Sequence, residues 1–296
     1  MDIKIITCHY AYNYGAVLQT YALYSYLTLE GHNVEVINYR PWYYRGSTRS
    51  KSIIRRLLRK IIRVPDNIKS ENVFYNYLKN NIKMTTEYTS YKDLENAALE
   101  ADLFIAGSDQ IWNTNLPNGR DLAFYLDFVK SGKMVTYAAS LGMDSISEND
   151  KDFMKNQLNK FSSISVREIT AKNLLKQIGI VDVEVVLDPV YLLSNKKWKN
   201  QEEKPKFKYE DKYVLVYGFN HQKEIFIDAK KYAEKYGYKT YSVSTFWEDV
   251  FMRCDQFFWN CTPFEFIYLI NHAECIFTNS FHGLSFSLIF NKAVYV

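Results

Sequence analysis

Short apolar runs that alternate with helical patterns constrain this sequence more than any other feature. Residues 3–8 have the pattern of a buried strand, an apolar-periodic helix follows from residue 16 to about residue 30, and residues 33–39 have the pattern of a second strand. A similar alternation begins again after residue 212. Units of this kind pack into parallel sheets that are covered by helices. The sequence therefore predicts an α/β protein with two Rossmann-type domains.

The length of 296 residues also indicates two domains. We expect an N-terminal domain over residues 1–194, a linker over 195–212 that is rich in Lys, Glu and Asn, and a C-terminal domain over 213–296. The last apolar run, 293–296, has nothing after it to cover the sheet, so we expect this domain to be truncated. Two such domains place a ligand in the cleft between them, at the carboxyl ends of strands.

Composition and charge exclude several classes of protein. Hydrophobic residues make up 47% of the chain and charged residues 24%, a balance that excludes disorder. The net charge of +4 is too small to require a nucleic-acid partner. Four cysteines without C-x-x-C spacing fit a reducing, cytoplasmic compartment, and no residues have the spacing of metal ligands. We expect a cytoplasmic protein that binds neither nucleic acid nor metal.

The first polar loop after a strand contains Asn13, Tyr14 and Gly15. A glycine at the start of a helix permits close approach of a ligand to the backbone, and the free N–H groups there favour an anion. We expect these three residues to bind substrate. The alternative is a tight turn in which Asn13 caps the helix.

The second loop follows an apolar strand and contains Ser108, Asp109 and Gln110, and Trp112 comes two residues later. Polar groups at such a position are typical of a ligand site. We expect Asp109 to be catalytic and Ser108 and Gln110 to bind substrate. A capped turn would use Ser108 and Asp109 equally well.

The third loop contains Arg167, between a predicted strand and a predicted helix. Its guanidinium group is suited to bidentate binding of a carboxylate or a phosphate. The alternative is a structural ion pair with Glu168 or Asp188. We expect a functional role for Arg167 and a structural one for Asp188.

The fourth loop contains Ser280, Phe281, His282 and Gly283, again between an apolar strand and an apolar helix. A histidine at a helix N-terminus can donate to a phosphate or exchange a proton. We expect His282 to be catalytic and its three neighbours to bind substrate. His9, in the first loop, is a weaker candidate.

Residues 53–63 predict a basic amphipathic helix, with isoleucines and leucines on one face and arginines on the other. Such a helix can lie on an anionic membrane surface. The alternatives are that its apolar face packs on the domain and that its arginines are solvated or line the entrance for an acidic substrate.

Taken together, these loops resemble the polysaccharide pyruvyl transferase family. The resemblance extends in order along nearly the whole chain. It rests on residues 5–9 (IITCH), 13–23 (NYGAVLQTYAL), 107–113 (GSDQIWN), 165–168 (SVRE), 187–189 (LDP) and 278–283 (TNSFHG).

This resemblance implies a GT-B-like pair of Rossmann-type domains. It also implies that a pyruvyl group moves from phosphoenolpyruvate (PEP) to two hydroxyls of a sugar, forming a ketal, in bacterial cell-surface polysaccharide assembly. PEP is then the donor substrate and no cofactor is needed. The acceptor is a polysaccharide or a precursor, and a lipid-linked acceptor would suit a basic helix at the inner membrane surface. Arg167 would hold the anionic groups of the donor, and His282 would contact the phosphate or protonate the enol. His9 and Asp109 are the other candidate acids.

The chain departs from the family pattern in its last loop. Better-understood relatives resemble Arg-x-His-Gly there, whereas this chain has Ser280 in place of the arginine. A cation from beyond Val296 or from the basic stretch near Arg40 could replace it, or the donor could differ. Two alternatives therefore stay open. One is a GT-B-type glycosyltransferase that uses a nucleotide sugar, with Glu265 or Glu274 on the ribose, and the other is a non-catalytic anion-binding relative.

Overall fold

The structure is a computed structural model that describes residues 1–44, 63–208, 211–218 and 223–296. The described residues form two compact units. The first contains 1–11, 19–44 and 79–192, and the second contains 12–18, 63–78 and 193–296. Each unit thus combines segments that are distant in sequence.

This division differs from the predicted one in two respects. Segments 12–18 and 63–78 belong to the second unit, although they lie within the predicted N-terminal domain. The predicted linker begins as a helix, Asn195–Lys199, in which Ser194 Oγ accepts a hydrogen bond from the Lys197 amide. Trp198 on that helix is fully buried. One buried indole thus anchors a segment whose composition suggested a linker.

A parallel sheet forms the centre of the first unit. Its strands are β1 (Asp2–Ile6), β2 (Asn33–Val36), β3 (Leu103–Ala106) and β4 (Lys133–Thr136), in the order β2-β1-β3-β4. A parallel pair, β5 (Ile164–Val166) and β6 (Val183–Val185), continues it through single bridges, Val135 to Ser163 and Ala139 to Val166. The order of connection reverses between β1 and β3. The loops after these two strands therefore flank the switch point where open α/β sheets bind ligands.

The core of the first unit includes the indole of the second loop. Trp112 is fully buried, lies 5.9 Å from the Tyr125 ring and donates a hydrogen bond from Nε1 to the Phe124 carbonyl at 3.1 Å. An indole of this size removes roughly 150–250 Å² from water, so it adds substantially to the core. Trp112 therefore anchors the loop that carries Ser108 and Asp109.

The second unit contains another parallel sheet. Its strands are β7 (Tyr213–Tyr217), β8 (Lys239–Ser244), β9 (Gln256–Trp259), β10 (Cys275–Thr278) and β11 (Ala293–Tyr295), in the order β11-β10-β7-β8-β9. The switch point of this sheet lies between β7 and β10, and the loop that carries His282 follows β10.

The helices follow the expected alternation, and four of those described begin with a side-chain cap. Thr262 and Glu265 form a capping box that encloses Pro263 in the first turn of one helix. The described helices are Tyr14–Leu29, Val64–Asn81, Tyr91–Asn96, Glu148–Leu158, Ile169–Gln177, Asn195–Lys199, Lys223–Tyr236, Pro263–His272 and Phe281–Ile289. Shorter 3-10 turns are Trp42–Tyr44, Pro117–Arg120, Leu122–Tyr125, Pro189–Leu192 and Trp247–Met252.

The predicted basic helix over 53–63 lies outside the described residues except for Arg63. The Arg63 guanidinium lies 4.2 Å from the centre of the Phe246 ring. Across the described ranges, no helix is both long enough and apolar enough to cross a membrane.

Candidate functional site

In the first unit, Arg167 is the centre of a buried polar cluster. It lies between β5 and helix Ile169–Gln177, and its Nη1 is 3.0 Å from Asp188 Oδ2 and 3.5 Å from Ser108 Oγ. The Ser108 hydroxyl donates to the same Asp188 oxygen at 2.8 Å. The Asp188 side chain is fully buried, and the Arg167 side chain is 9% exposed. These contacts hold the guanidinium in one orientation and confirm the structural ion pair with Asp188.

Two further carboxylates face the same guanidinium. Arg167 Nη2 is 3.9 Å from Asp109 Oδ1, and Nε is 3.6 Å from Glu168 Oε2. Burial disfavours the charged guanidinium, but Asp109, Asp188 and Glu168 together outweigh it and raise the pKa of Arg167. A bound anion would compete with these carboxylates for the cation. Over the part of the chain that the structure describes, no group of three His, Cys, Asp or Glu side chains could hold a metal ion.

Asp109 adopts a backbone conformation that most residues avoid. Its φ of 81° lies in the left-handed region, where Asp is better tolerated than most side chains. Its carbonyl accepts hydrogen bonds from the Ile111 amide at 2.8 Å and the Ser140 amide at 3.0 Å, and its Oδ1 accepts from the Gln110 amide at 2.8 Å. Local hydrogen bonds therefore stabilise a strained turn, as is common at functional sites.

Glu168 connects this cluster to the loop after β4. Its Oε1 accepts from Ser140 Oγ at 2.9 Å, from the Leu141 amide at 2.9 Å and from the Gly142 amide at 3.4 Å. Sequence reasoning did not identify the Ser140–Gly142 segment as part of the site. The available signal was the run of three small residues, 138–140, that follows Tyr137 after β4, and Ala138 also has a positive φ of 54°.

Gln110 is enclosed by the same loops. Its Oε1 accepts from Asn113 Nδ2 at 3.0 Å, and its carbonyl accepts from Asn118 Nδ2 at 2.6 Å. A Cβ at Gly142 would lie 2.4 Å from Gln110 Cδ, so only glycine fits beside this side chain. The structure therefore brings Ser108, Asp109, Gln110 and Arg167 together in the first unit.

In the second unit, the loop after β10 is shaped by a helix cap. Ser280 Oγ accepts from the Gly283 amide at 3.3 Å, and Thr278 Oγ1 accepts from the Ser280 amide at 3.0 Å. A Cβ at Gly283 would lie 2.3 Å from Thr278 Oγ1, so this position requires glycine. Ser280 thus has a local role that an arginine at this position could not fill.

His282 packs directly against the first polar loop. A Cβ at Gly15 would lie 2.0 Å from His282 Nδ1, so the absence of a side chain at Gly15 makes room for the imidazole. Asn13 Oδ1 accepts from the Gly15 amide at 2.8 Å, which is the helix-capping contact of the alternative interpretation. His282 is buried, whereas Phe281 beside it is 46% exposed. The first and fourth loops therefore meet within the second unit.

Tyr14 is part of the core of this unit. Its ring is fully buried and stacks on Phe266 with centroids 4.6 Å apart, and its hydroxyl lies 3.4 Å from Cys261 Sγ. Burial raises the pKa of the Tyr14 phenol. These contacts give Tyr14 a packing role in the core of the second unit.

His9 lies after β1 in the first unit and is fully buried. Its Nδ1 donates to the Thr7 carbonyl at 3.0 Å. Burial lowers the pKa of His9 to about 4, with a smaller contribution from the Arg40 charge in the same direction. The imidazole is therefore neutral at pH 7 and is a poor acid for protonating an enol.

Arg40 already has partners in the first unit. Its Nη1 is 3.0 Å from Glu87 Oε2, its guanidinium lies 4.0 Å from the centre of the Tyr10 ring, and the side chain is buried. These contacts do not favour Arg40 as a substitute for the arginine that Ser280 replaces.

The fold of the chain is that of the GT-B class, as expected. A Listeria monocytogenes protein described as a UDP-N-acetylglucosamine 2-epimerase is similar with a TM-score of 0.55 and 11% identity, over 99% of this chain and 78% of that one. MnaA from S. aureus, solved with UDP, gives a TM-score of 0.52 and 13% identity over 99% and 78%. UDP-GlcNAc 2-epimerase from Methanocaldococcus jannaschii gives a TM-score of 0.51 and 13% identity, over 99% of this chain and 83% of that one. Identities this low show the fold alone.

The sequence itself shows the family. A model of the polysaccharide pyruvyl transferase family matches residues 13–296, so the chain belongs to the polysaccharide pyruvyl transferase family. This match confirms the resemblance found in the loops. The family implies a transferase with a polysaccharide acceptor. A search of curated proteins gave no significant match.

Proposed function

We propose that this protein transfers the pyruvyl group of PEP to two hydroxyls of one sugar in a cell-surface polysaccharide or its precursor. The PEP methylene gains a proton and becomes a methyl group. Two C–O bonds form between the former enol carbon and the sugar oxygens, and the C–O bond to phosphate breaks. Of the two hydroxyl protons, one balances the proton taken up by the methylene and the other leaves with phosphate or solvent. The family match over residues 13–296 carries this proposal.

The first-unit cluster supports an anionic donor. The proposed reaction needs a cation for the carboxylate or phosphate of PEP, and Arg167 is held at a strand end by Asp188 and Ser108. A preoriented guanidinium loses little conformational freedom when a ligand binds. Asp109 lies 3.9 Å from this guanidinium and is one candidate for the group that protonates the enol.

The loop after β10 in the second unit supports a role for His282 alongside that of Arg167. His282 lies in the first turn of helix Phe281–Ile289, where the helix dipole favours negative charge. In this proposal His282 contacts the phosphate or supplies the proton to the enol. Ser280 and Gly283 shape the turn that holds it.

Contacts at two carboxylates do not favour a nucleotide-sugar donor. Glu265 Oε2 accepts from the Thr262 amide at 2.7 Å as part of a helix cap, and Glu274 pairs with Lys212 at 3.2 Å. Both of the carboxylates considered for a ribose therefore already have local partners.

A thermal-shift titration with PEP, with UDP and CMP as controls, tests the donor. Ligand at one hundred times its dissociation constant adds about 2.7 kcal/mol to the free energy of unfolding. We expect PEP alone to stabilise the wild type, and Arg167→Lys, which keeps the charge but loses the fork of donors, to bind PEP at least about tenfold more weakly. Arg253→Lys, at an exposed arginine of the second unit, is the matched control.

Stabilisation by UDP in place of PEP would support the glycosyltransferase. Stabilisation by PEP without any turnover would support a non-catalytic relative. An equal response to PEP in wild type and Arg167→Lys would contradict the role of Arg167.

A further inference from the structure

A polar pocket of the first unit lies beside the Arg167 cluster. Its volume is about 440 Å³, within the roughly 300–1,000 Å³ that is typical of ligand pockets. Gly142 and Met143 form one side, and Thr114, Asn115 and Arg120 contribute to the rest. None of the residues that line it belongs to a motif that the sequence singled out.

An oriented guanidinium forms part of this pocket. Arg120 Nε donates to Asp150 Oδ1 at 2.7 Å, and Nη2 donates to Oδ2 at 3.1 Å. Ser147 Oγ donates to the same carboxylate at 2.6 Å. The Asp150 side chain is only 4% exposed, whereas that of Arg120 is 60% exposed. The two parallel hydrogen bonds fix the plane of the guanidinium and leave Nη1 available to a ligand.

Three further polar side chains complete the lining. These are the Asn115 amide, the Asp144 carboxylate and the Ser145 hydroxyl, all on exposed residues. Within the ranges that the structure describes, these side chains make no hydrogen bond or ion pair. The pocket therefore offers donors and acceptors of several kinds at once.

This set of groups fits a neutral sugar. Each sugar hydroxyl both donates and accepts, so a ring needs both kinds of partner, and the planar edges of Arg, Asn and Asp can each serve two hydroxyls. The lining contains one guanidinium and two carboxylates, those of Asp144 and Asp150, so its net charge is negative. A negative pocket disfavours the highly anionic PEP.

The pocket shares a wall with the candidate reaction centre. Gly142 lines the pocket, and its amide lies 3.4 Å from Glu168 Oε1. The other oxygen of Glu168 lies 3.6 Å from Arg167 Nε. A two-substrate transfer requires its acceptor next to its donor. We propose that this pocket binds the acceptor sugar, an inference that rests on the proposed transfer of a pyruvyl group from PEP.

The test compares binding of glycans and kinetics in matched variants. Ser145→Trp fills the pocket from an exposed position, and Asp144→Asn removes the negative charge of one carboxylate that lines it. Asn149→Trp and Asp152→Asn, at exposed positions on helix Glu148–Leu158 outside the pocket, are the controls for bulk and charge. Fluorescently labelled protein is applied to a glycan array, and steady-state kinetics follow with PEP and p-nitrophenyl glycosides of common hexoses and N-acetylhexosamines.

We expect Ser145→Trp to lose glycan binding and to raise the acceptor KM at least about tenfold, while the KM for PEP stays within about twofold. The two controls should match the wild type. The inference would be overturned if Ser145→Trp bound glycans as well as the wild type does. It would also be overturned if the wild-type protein bound no glycan on the array. Absence of PEP binding or turnover in the wild type would instead overturn the proposed function, so the two failures are distinguishable.

Discussion

Gly15→Ala tests whether the position of His282 matters for activity. The added Cβ would lie 2.0 Å from His282 Nδ1 and 2.3 Å from Cγ, whereas ordinary contacts begin near 3.4 Å. The imidazole must therefore retreat by about 1.4 Å, and a shift of about 1 Å in a reacting group can cost roughly 10²-fold in rate. Overpacking costs about 1–3 kcal/mol, and alanine regains at most about 1 kcal/mol of helix propensity. We expect a folded protein with kcat reduced about 100-fold.

The control is Gly237→Ala in the same unit. Gly237 has a φ of 70°, and nothing lies within 4 Å of an added Cβ, so this change adds backbone strain of about 1–2 kcal/mol without touching His282. Thermal unfolding and phosphate release from PEP are measured for both variants. A Gly15→Ala protein with wild-type kcat, or equal losses of kcat in the two variants, would refute the role of His282.

Three further predictions concern stability. Asp188→Asn should lower the free energy of unfolding by about 1–3 kcal/mol, because the Asp188 side chain is fully buried and its Oδ2 lies 3.0 Å from Arg167 Nη1. Asp109→Asn should lower it by less than about 1 kcal/mol, because Asp109 is more exposed and its Oδ1 lies 3.9 Å from Arg167 Nη2. Equal losses of the two variants in urea titrations would contradict this ranking. Burial lowers the pKa of His9 to about 4, from about 6.5 in the unfolded chain. About 3 kcal/mol of stability that is present above pH 6.5 is therefore lost as the pH falls towards 4, and His9→Asn should reduce this loss. Parallel profiles of unfolding free energy against pH for wild type and His9→Asn would contradict the prediction. Thr262→Ala should lower the free energy of unfolding by about 1 kcal/mol, because it removes a capping box. Thr262→Ser keeps the hydroxyl and should retain most of that stability in thermal unfolding.

Much of the fold could be predicted because its strands are short apolar runs with clear ends. The predicted strands over 3–8 and 33–39 overlap Asp2–Ile6 and Asn33–Val36, and the helix predicted from residue 16 to about residue 30 overlaps Tyr14–Leu29. Strand Gln256–Trp259 was not predicted, although it pairs with β8 at the edge of the second sheet. Helix Asn195–Lys199 was also missed because its only large apolar side chain is Trp198. Local composition says little about such segments, since tertiary contacts decide their conformation.

The candidate site could be predicted as a set of loops, but not as a set of contacts. Ser108 follows β3, and Arg167 follows β5 of the parallel pair that continues that sheet through single bridges, so their proximity follows from the topology. The contact between Gly15 and His282 could not be predicted, because it requires segment 12–18 to belong to the second unit. The sequence had suggested Glu168 or Asp188 as an ion-pair partner of Arg167, whereas the approach of Asp109, from a separate loop, depends on tertiary structure.

Acceptor-dependent release of phosphate from PEP, with mass spectrometry of the sugar product, tests the central claim most directly. The reaction is run in D₂O with the p-nitrophenyl glycosides used for the pocket variants. We predict that phosphate appears only when an acceptor is present, and that the product carries a pyruvyl ketal with one deuterium in its methyl group, because the proton on the methylene comes from solvent. Consumption of a nucleotide sugar with PEP left intact would contradict the claim.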